Sequence, residues 1–374
     1  MSIKAKTLLF IALSGASTSA LAISVYEDKA TTLDIYGRIE WQLANGEASF
    51  ANDDSRSQIG GRLGIYLTRD LPLLEDTKLV GRLEWQVRTE KDDNKTKDKD
   101  LDARYAYLGL SHAKYGELIA GRTKNPLYQV MRMTDKYKNF TPNVYNYGIT
   151  TIDDSYQFNR QDGTLQWNGD FSGHQVQLAY VFGNGNSDND ALDNGMMASY
   201  RKMIKFGDVK ITPAIAVSQY NRQDGVKTTD GRKKHSQVMG GLQFDYSDLS
   251  LAVTAGKVSI ERDNKSDNDY TSFDSVASYQ FTKEFKVLGG YSILDEADED
   301  VYEHEGWRIE SQLTLAKNVY LSATYLNTLA SKNEKVNDDA IIVGLRYVRI
   351  PLYSITDWHR SPISDSHPFD QPGT

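Results

Sequence analysis

The sequence predicts an all-β protein: a 16-stranded antiparallel β-barrel that crosses a membrane. Three observations predict it. Short segments alternate apolar and polar residues again and again along the chain. The connections between them alternate short with long and charged. No run of 18 apolar residues occurs after the first 25 positions, so no helix is expected to span a bilayer. A low mean hydropathy of −0.55 does not argue against a membrane here, because a transmembrane barrel keeps every second residue polar.

The chain opens on residues 1–22. Lys4 and Lys6 precede the apolar run TLLFIAL, and Ala20-Leu21-Ala22 is a small-x-small site. Together these read as a secretory signal peptide. Loss of Lys4 and Lys6 with that segment takes the net charge from −8 to −10, which disfavours nucleic acid as a partner. Cysteine is absent, which removes thiol catalysis and cysteine-bound zinc.

Sixteen alternating segments follow, near 31–43, 57–68, 78–88, 102–110, 115–122, 159–168, 174–183, 195–203, 209–220, 236–246, 249–258, 271–281, 286–294, 306–315, 319–328 and 339–348. In LDIYGRIEWQL, Leu33, Ile35, Ile39, Trp41 and Leu43 share one face, and Asp34, Tyr36, Arg38, Glu40 and Gln42 share the other. KLVGRLEWQVR sets Leu79, Leu83, Trp85 and Val87 against Arg82, Glu84, Gln86 and Arg88. WRIESQLTL sets Trp307, Ile309, Leu313 and Leu315 against Arg308, Glu310, Gln312 and Thr314. The segment LAVTAGKVSI fits less well, because Lys257 falls near the apolar face. The short connections include GDFSG, FGD, SD and AKN, and the long ones include TEKDDNKTKDKD, ERDNKSDND, DEADEDVYEHE and ASKNEKVNDD. Short turns at one end and long polar loops at the other are the habit of an outer-membrane barrel. The 23 tyrosines suit its two aromatic girdles.

Sixteen strands enclose water rather than a packed core, so the polar faces line a channel. On the inward parity the arginines line up: Arg38, Arg62, Arg82 and Arg104 on the first four strands and Arg160 on the sixth. Tyr36, Glu40 and Glu84 share that lining. Two readings stand side by side. The arginines form one wall of a transverse field at the waist, or Glu40 and Glu84 neutralise their nearest neighbours in a solvated lumen.

The longest connection, 123–157, reads TKNPLYQVMRMTDKYKNFTPNVYNYGITTIDDSYQ. Connections of this length are usually functional or disordered, and its Tyr, Phe, Met and Asn content allows it to pack against something. Folded back into the lumen, it would narrow the channel.

The stretches VYEDKATTLDIYGR, ARYAYLGLSHAKYGELIAGR, TDKY and IIVGLRY resemble the general trimeric porins of Gram-negative outer membranes, over residues 25–347. The resemblance implies a sixteen-stranded homotrimer whose third extracellular loop folds inward as a constriction. It places Arg38, Arg62 and Arg104 in the family's basic cluster and Asp135 at the aspartate of its loop-three segment. Where the family carries an acidic stretch next in that loop, this chain reads KNFTPNVYN, without a carboxylate, and adds Lys136 and Lys138. Asp153 and Asp154, later in the loop, are the other acidic candidates.

The function expected is an outer-membrane general diffusion porin for ions and small hydrophilic solutes. Its partners would be lipid, lipopolysaccharide and two further copies of itself. A substrate-specific channel, for sugars for example, or a surface receptor or adhesin barrel are the alternatives. No enzyme is expected. None of His112, His174, His235, His304, His359 and His367 lies mid-strand on the lumen face beside a matching Ser and Asp. No cofactor or metal site is expected. The barrel is assigned to residues 23–349. The tail 350–374 holds four of the eight prolines and breaks the alternation, so it is expected to be disordered.

Overall fold

Most exposed large apolar side chains of the strands point out of this protein, and most polar ones point in. In the strand at 31–45, Ile39 is 65 % exposed while Tyr36 on the next face is 2 % exposed. The same inversion recurs at 301–316, where Ile309 and Leu315 are exposed and Arg308, Glu310 and Gln312 are buried. A water-soluble sandwich would reverse this. A barrel in lipid, with its polar atoms turned inside, requires it.

The computed structural model describes residues 23–46, 55–88, 101–139, 160–185, 191–224, 231–263, 267–296, 301–331 and 334–349. The signal segment 1–22, the tail 350–374 and the acidic candidates Asp153 and Asp154 lie outside the described residues.

The strands are β1 (Ile23–Glu27), β2 (Thr31–Asn45), β3 (Ser55–Asp70), β4 (Thr77–Arg88), β5 (Leu101–His112) and β6 (Gly116–Lys124). A four-residue helix, α1 (Tyr128–Met131), follows. Then come β7 (Arg160–Phe171), β8 (His174–Phe182), β9 (Asn194–Lys202), β10 (Ile204–Phe206), β11 (Val209–Asn221) and β12 (Arg232–Tyr246). The last are β13 (Leu249–Arg262), β14 (Asn268–Gln280), β15 (Phe285–Glu296), β16 (Val301–Ala316), β17 (Val319–Ser331) and β18 (Glu334–Arg349). β9 and β10 are one barrel strand interrupted at Met203. Arg201 pairs with Ala214 and Ile204 with Ile211, in unbroken register along β11.

Neighbours in sequence pair antiparallel all the way round, and β18 closes on β2 from Ile341↔Asn45 to Arg349↔Gly37. β1 takes up the same edge of β2 where β18 leaves it, from Ile23↔Ile35 to Glu27↔Thr32. Counting β9 with β10 and setting β1 aside, this is a closed barrel of sixteen antiparallel strands. Closure leaves no row of open backbone groups facing lipid.

The short turns carry the backbone chemistry that tight reversal needs. Between β7 and β8, Ser172 and Gly173 both have positive φ, 56° and 80°, as a two-residue hairpin requires. Asp170 Oδ1 accepts the Gly173 N–H at 2.7 Å.

Each of the sixteen expected segments is a strand, and several run further than the alternation shows. β16 begins at Val301 and β18 at Glu334, taking in residues read from sequence as loop. These ends, VYEH and EKVN, carry no apolar–polar alternation in sequence, while the ladder to the neighbouring strand continues. Lys257 sits mid-strand on the outer face without a bulge. It is compensated by Asp269 Oδ2 of β14, 2.5 Å away.

Candidate functional site: the lumen wall and the segment after β6

The inner face of β2–β5 is a network of alternating charge. Arg82 is buried; its Nε donates to Tyr36 Oη at 2.6 Å and its Nη2 to Glu84 Oε2 at 2.6 Å. The Tyr36 hydroxyl also donates to Glu84 Oε2, at 2.8 Å. The Arg82 guanidinium lies 3.6 Å from the Tyr105 ring centroid, a cation–π contact. Arg104 Nε donates to Glu84 Oε1 at 2.8 Å, and its Nη1 to Gln86 Oε1. Arg38 Nη2 donates to Glu40 Oε1 at 2.9 Å, and Arg346 of β18 pairs with Glu40 Oε2 at 2.8 Å. Arg38 stands directly opposite Arg62 in the β2–β3 register. Such a like-charge pair costs stability in a sheet unless carboxylates and water offset it. Arg160 is buried 5.0 Å from the Tyr105 ring.

Of the two sequence readings, the hydrogen bonds display the second: Glu40 and Glu84 each hold two arginines. The first is not displaced by this, because Arg38, Arg62 and Arg104 remain half-buried on the inner face.

Arg104 reaches the inner face by a route that simple alternation does not give. Tyr105 is buried and Leu108 and Leu110 are exposed, so strict alternation would turn Arg104 outward. The β4–β5 register shifts between Glu84 and Trp85: Glu84 pairs with Tyr105 and Trp85 with Ala103. The extra residue is Arg104. A bulge re-aims such a side chain, here onto Glu84 and Gln86.

The segment after β6 makes its contacts with inward-facing residues of the opposite wall. Leu127, Val130, Met131 and Met133 form one apolar cluster with Ala214 and Ala216 of β11, Met239 of β12, Ala252 of β13, Val276 of β14 and Leu288 of β15. Met133 sits where a side chain on Gly241 would clash, so this glycine makes room for the loop. Further on, Tyr137 lies under Arg308, 3.4 Å from its ring centroid to the guanidinium carbon, and Lys138 Nζ lies 3.8 Å from the Tyr320 ring. Its last described residues, Lys138 and Asn139, bond to β16–β18. Glu310 accepts the N–H groups of Lys138 at 2.7 Å and Asn139 at 3.1 Å. The Asn139 amide donates to Thr324 Oγ1 at 2.9 Å and to the Ile342 carbonyl at 3.1 Å, and its Oδ1 accepts from Ser322 at 2.7 Å. Arg346 donates to the Lys138 carbonyl.

The predicted acidic residue of this segment points away from the lumen water. Asp135 is buried and accepts the Tyr128 hydroxyl at 3.2 Å, and the Lys124 ammonium lies over the same tyrosine ring. Arg132 and Lys136 are half-buried. Burial, then Arg132, Lys286 and Arg201, pull the Lys136 ammonium down to about 7. Sequence reasoning passed over Arg346, Glu310 and Asn139 as functional residues. The first two carried a signal, inward parity in LRY and WRIESQLTL, whereas Asn139 in an irregular segment carried none.

Residues 8–333 match the family described as Gram-negative porin. The chain belongs to that family. It is an outer-membrane porin, a general diffusion channel. Outer membrane porin F of Salmonella typhi is 24 % identical over 332 residues, covering 83 % of this chain and 85 % of that protein. The Salmonella typhi OmpF structure solved in complex with daunomycin superposes with a TM-score of 0.71 at 18 % identity, over 86 % of this porin and 99 % of that chain. OmpT of Vibrio cholerae, folded in vitro and solved in a trimer form, gives 0.63 at 15 % identity, over 86 % of this porin and all of that chain.

Proposed function

We propose that solutes cross this porin through the space between the arginine wall of β2–β5 and the segment 125–139, which sets the narrowest cross-section. The observation that carries this reading is where the segment is anchored. Its apolar side packs on β11–β15, across the barrel from Arg38, Arg62 and Arg104, and Lys138 and Asn139 are bonded to β16–β18, beside the strand of Arg38. Ions and small hydrophilic solutes then move down their gradients, sorted by width and by the charge of this passage. The protein catalyses nothing. It works as a homotrimer beside lipopolysaccharide, after removal of residues 1–22.

The absence of cysteine from the chain makes a direct test available. Arg62→Cys and Arg104→Cys place single thiols on the proposed path, and Ile39→Cys places one on the lipid face. A small thiol-reactive sulfonate added during planar-bilayer recording should lower the current through the first two and leave the third unchanged. Unaltered current through fully labelled Arg62→Cys and Arg104→Cys channels would remove the path from this wall.

A further inference from the structure

Among the described residues of the waist, the carboxylates are mostly buried and paired, while three arginines of one wall stay half-buried. Glu310, Glu84, Asp274 and Asp135 are all under a tenth exposed, as is Glu117 near the short turns. Glu310 is spent on the loop backbone, Glu84 on Arg82 and Arg104, Glu117 on Asn168, and Asp135 accepts from Tyr128. Glu40 is the half-buried exception, and it is flanked by Arg38 and Arg346. Against it stand Arg38, Arg62 and Arg104, each half-buried on the same wall.

A second basic group lies nearer the short turns. Arg132 and Lys136 of the segment after β6 are close enough to Arg201 of β9 and Lys286 of β15 to interact electrostatically. Lys286 is the second residue of its strand after a short turn, and Arg201 is the last but one of β9, so this group sits towards the short-turn mouth. Asp245 is the carboxylate beside it, and both of its oxygens accept from Gln243.

We propose that this porin is an anion-preferring channel. Its passage carries two successive cationic stations, Arg38/Arg62/Arg104 at the waist and Arg132/Lys136/Arg201 towards the short-turn mouth, and favours small solutes bearing phosphate or carboxylate groups. This rests on the conducting path proposed above. The net charge of −8 for the whole chain does not oppose it. At physiological salt a charge is screened beyond about 8 Å, so a permeating ion responds to the walls of the passage rather than to distant loops. Low-dielectric walls of one sign concentrate the opposite ion between them. The like-charge pair Arg38 and Arg62, directly opposite across β2 and β3, is unfavourable for the sheet alone and useful for such a field.

Planar bilayers separate the two ideas. Absence of any single-channel conductance would sink the path itself. Given conductance, the reversal potential in a potassium chloride gradient reads selectivity, because the two ions have similar mobilities. Expected is a chloride-to-potassium permeability ratio of roughly three or more at low salt. That ratio should fall towards one in about 1 M salt, where the screening length shrinks to about 3 Å. A ratio at or below one in dilute salt overturns the proposal, with or without folded variants. Arg38→Gln with Arg62→Gln, and separately Arg132→Ser with Lys136→Ser, should each lower the ratio at least about twofold. An anion-selective channel that keeps its ratio in both variants would overturn the assignment to these stations. Replacing potassium chloride by potassium glucose 6-phosphate should leave the channel conducting anions. Pure potassium current in that salt would overturn the solute class.

Discussion

The Glu310 carboxylate accepts the Asn139 backbone N–H at 3.1 Å, and the Asn139 side chain then reaches on to Thr324, Ser322 and the Ile342 carbonyl. One buried acid on β16 thus holds Lys138 and Asn139 of a segment that leaves the wall at β6. A hydrogen bond to a charged group contributes about 1.5–3 kcal/mol, and Glu310 accepts two from this backbone. Glu310→Ala is therefore expected to shift the population of the docked segment at least tenfold. Single-channel recording should show larger and noisier conductance from a barrel that still migrates as folded. Steady, unchanged current would mean that the segment is held by its apolar contacts alone.

Gly344 tests the same docking from the other side. A Cβ built there would clash with Asn139 Oδ1. Gly344→Ala should reproduce the noisy current of Glu310→Ala. Shortening the obstructing side chain in Gly344→Ala/Asn139→Ser should relieve part of it, giving a double-mutant coupling of about 0.5–3 kcal/mol in thermal stability or gating. Additive effects would show that the two residues do not meet.

The five arginines read from sequence divide by burial into two classes, and stability measurements should separate them. Arg82 is 3 % exposed and holds Glu84, Tyr36 and the Tyr105 ring. Removing it leaves Glu84 paired with Arg104, and breaking a buried pair typically costs about 3–5 kcal/mol. Arg38→Ala removes a half-buried, water-facing partner of Glu40 and should cost about 1 kcal/mol or less, since Arg346 remains. Unfolding in denaturant should therefore rank Arg82→Ala far below Arg38→Ala. The reversal potential should rank them the other way.

How much of this was legible follows from period. Strand faces repeat every second residue, so Ile39, Ile309, Tyr36 and Gln312 could be assigned to their sides from the sequence, and sixteen strands with them. Arg104 could be named but not explained, because a bulge leaves no mark in the alternation. The segment 125–139 has no period. Its Met and Tyr content announced that it packs, but the positions it packs on, Gly241 and Gly344, are gaps in distant strands. The ends of β16 and β18 read as loop because VYEH and EKVN carry no apolar–polar alternation.

Lys136 gives the passage a pH dependence of known sign. Burial first, then Arg132, Lys286 and Arg201, lower its pKa to about 7, with Asp245 opposing. The ammonium is charged below that value and neutral above it. Anion preference should therefore be stronger at about pH 6 than at about pH 8, while Lys136→Gln flattens the difference. A wild-type ratio that does not change over this range would place Lys136 outside the field felt by permeating ions.

The lipid face makes the last prediction. Ile309 is 50 % exposed on the outer surface of β16, between Arg308 and Glu310, which point inward. An arginine at the same depth would face hydrocarbon, at a cost of about 2–4 kcal/mol near the midplane. Gln58 is an inward, half-buried residue of β3 that donates to Gln42, and an arginine there keeps its charge in lumen water. Ile309→Arg should lower the folding yield and the melting temperature in detergent, whereas Gln58→Arg should fold normally and change conductance instead. If both variants fold equally well, the outward set does not meet lipid; if both fail, Gln58 does not face water. Either result would contradict the inside-out arrangement of the strands.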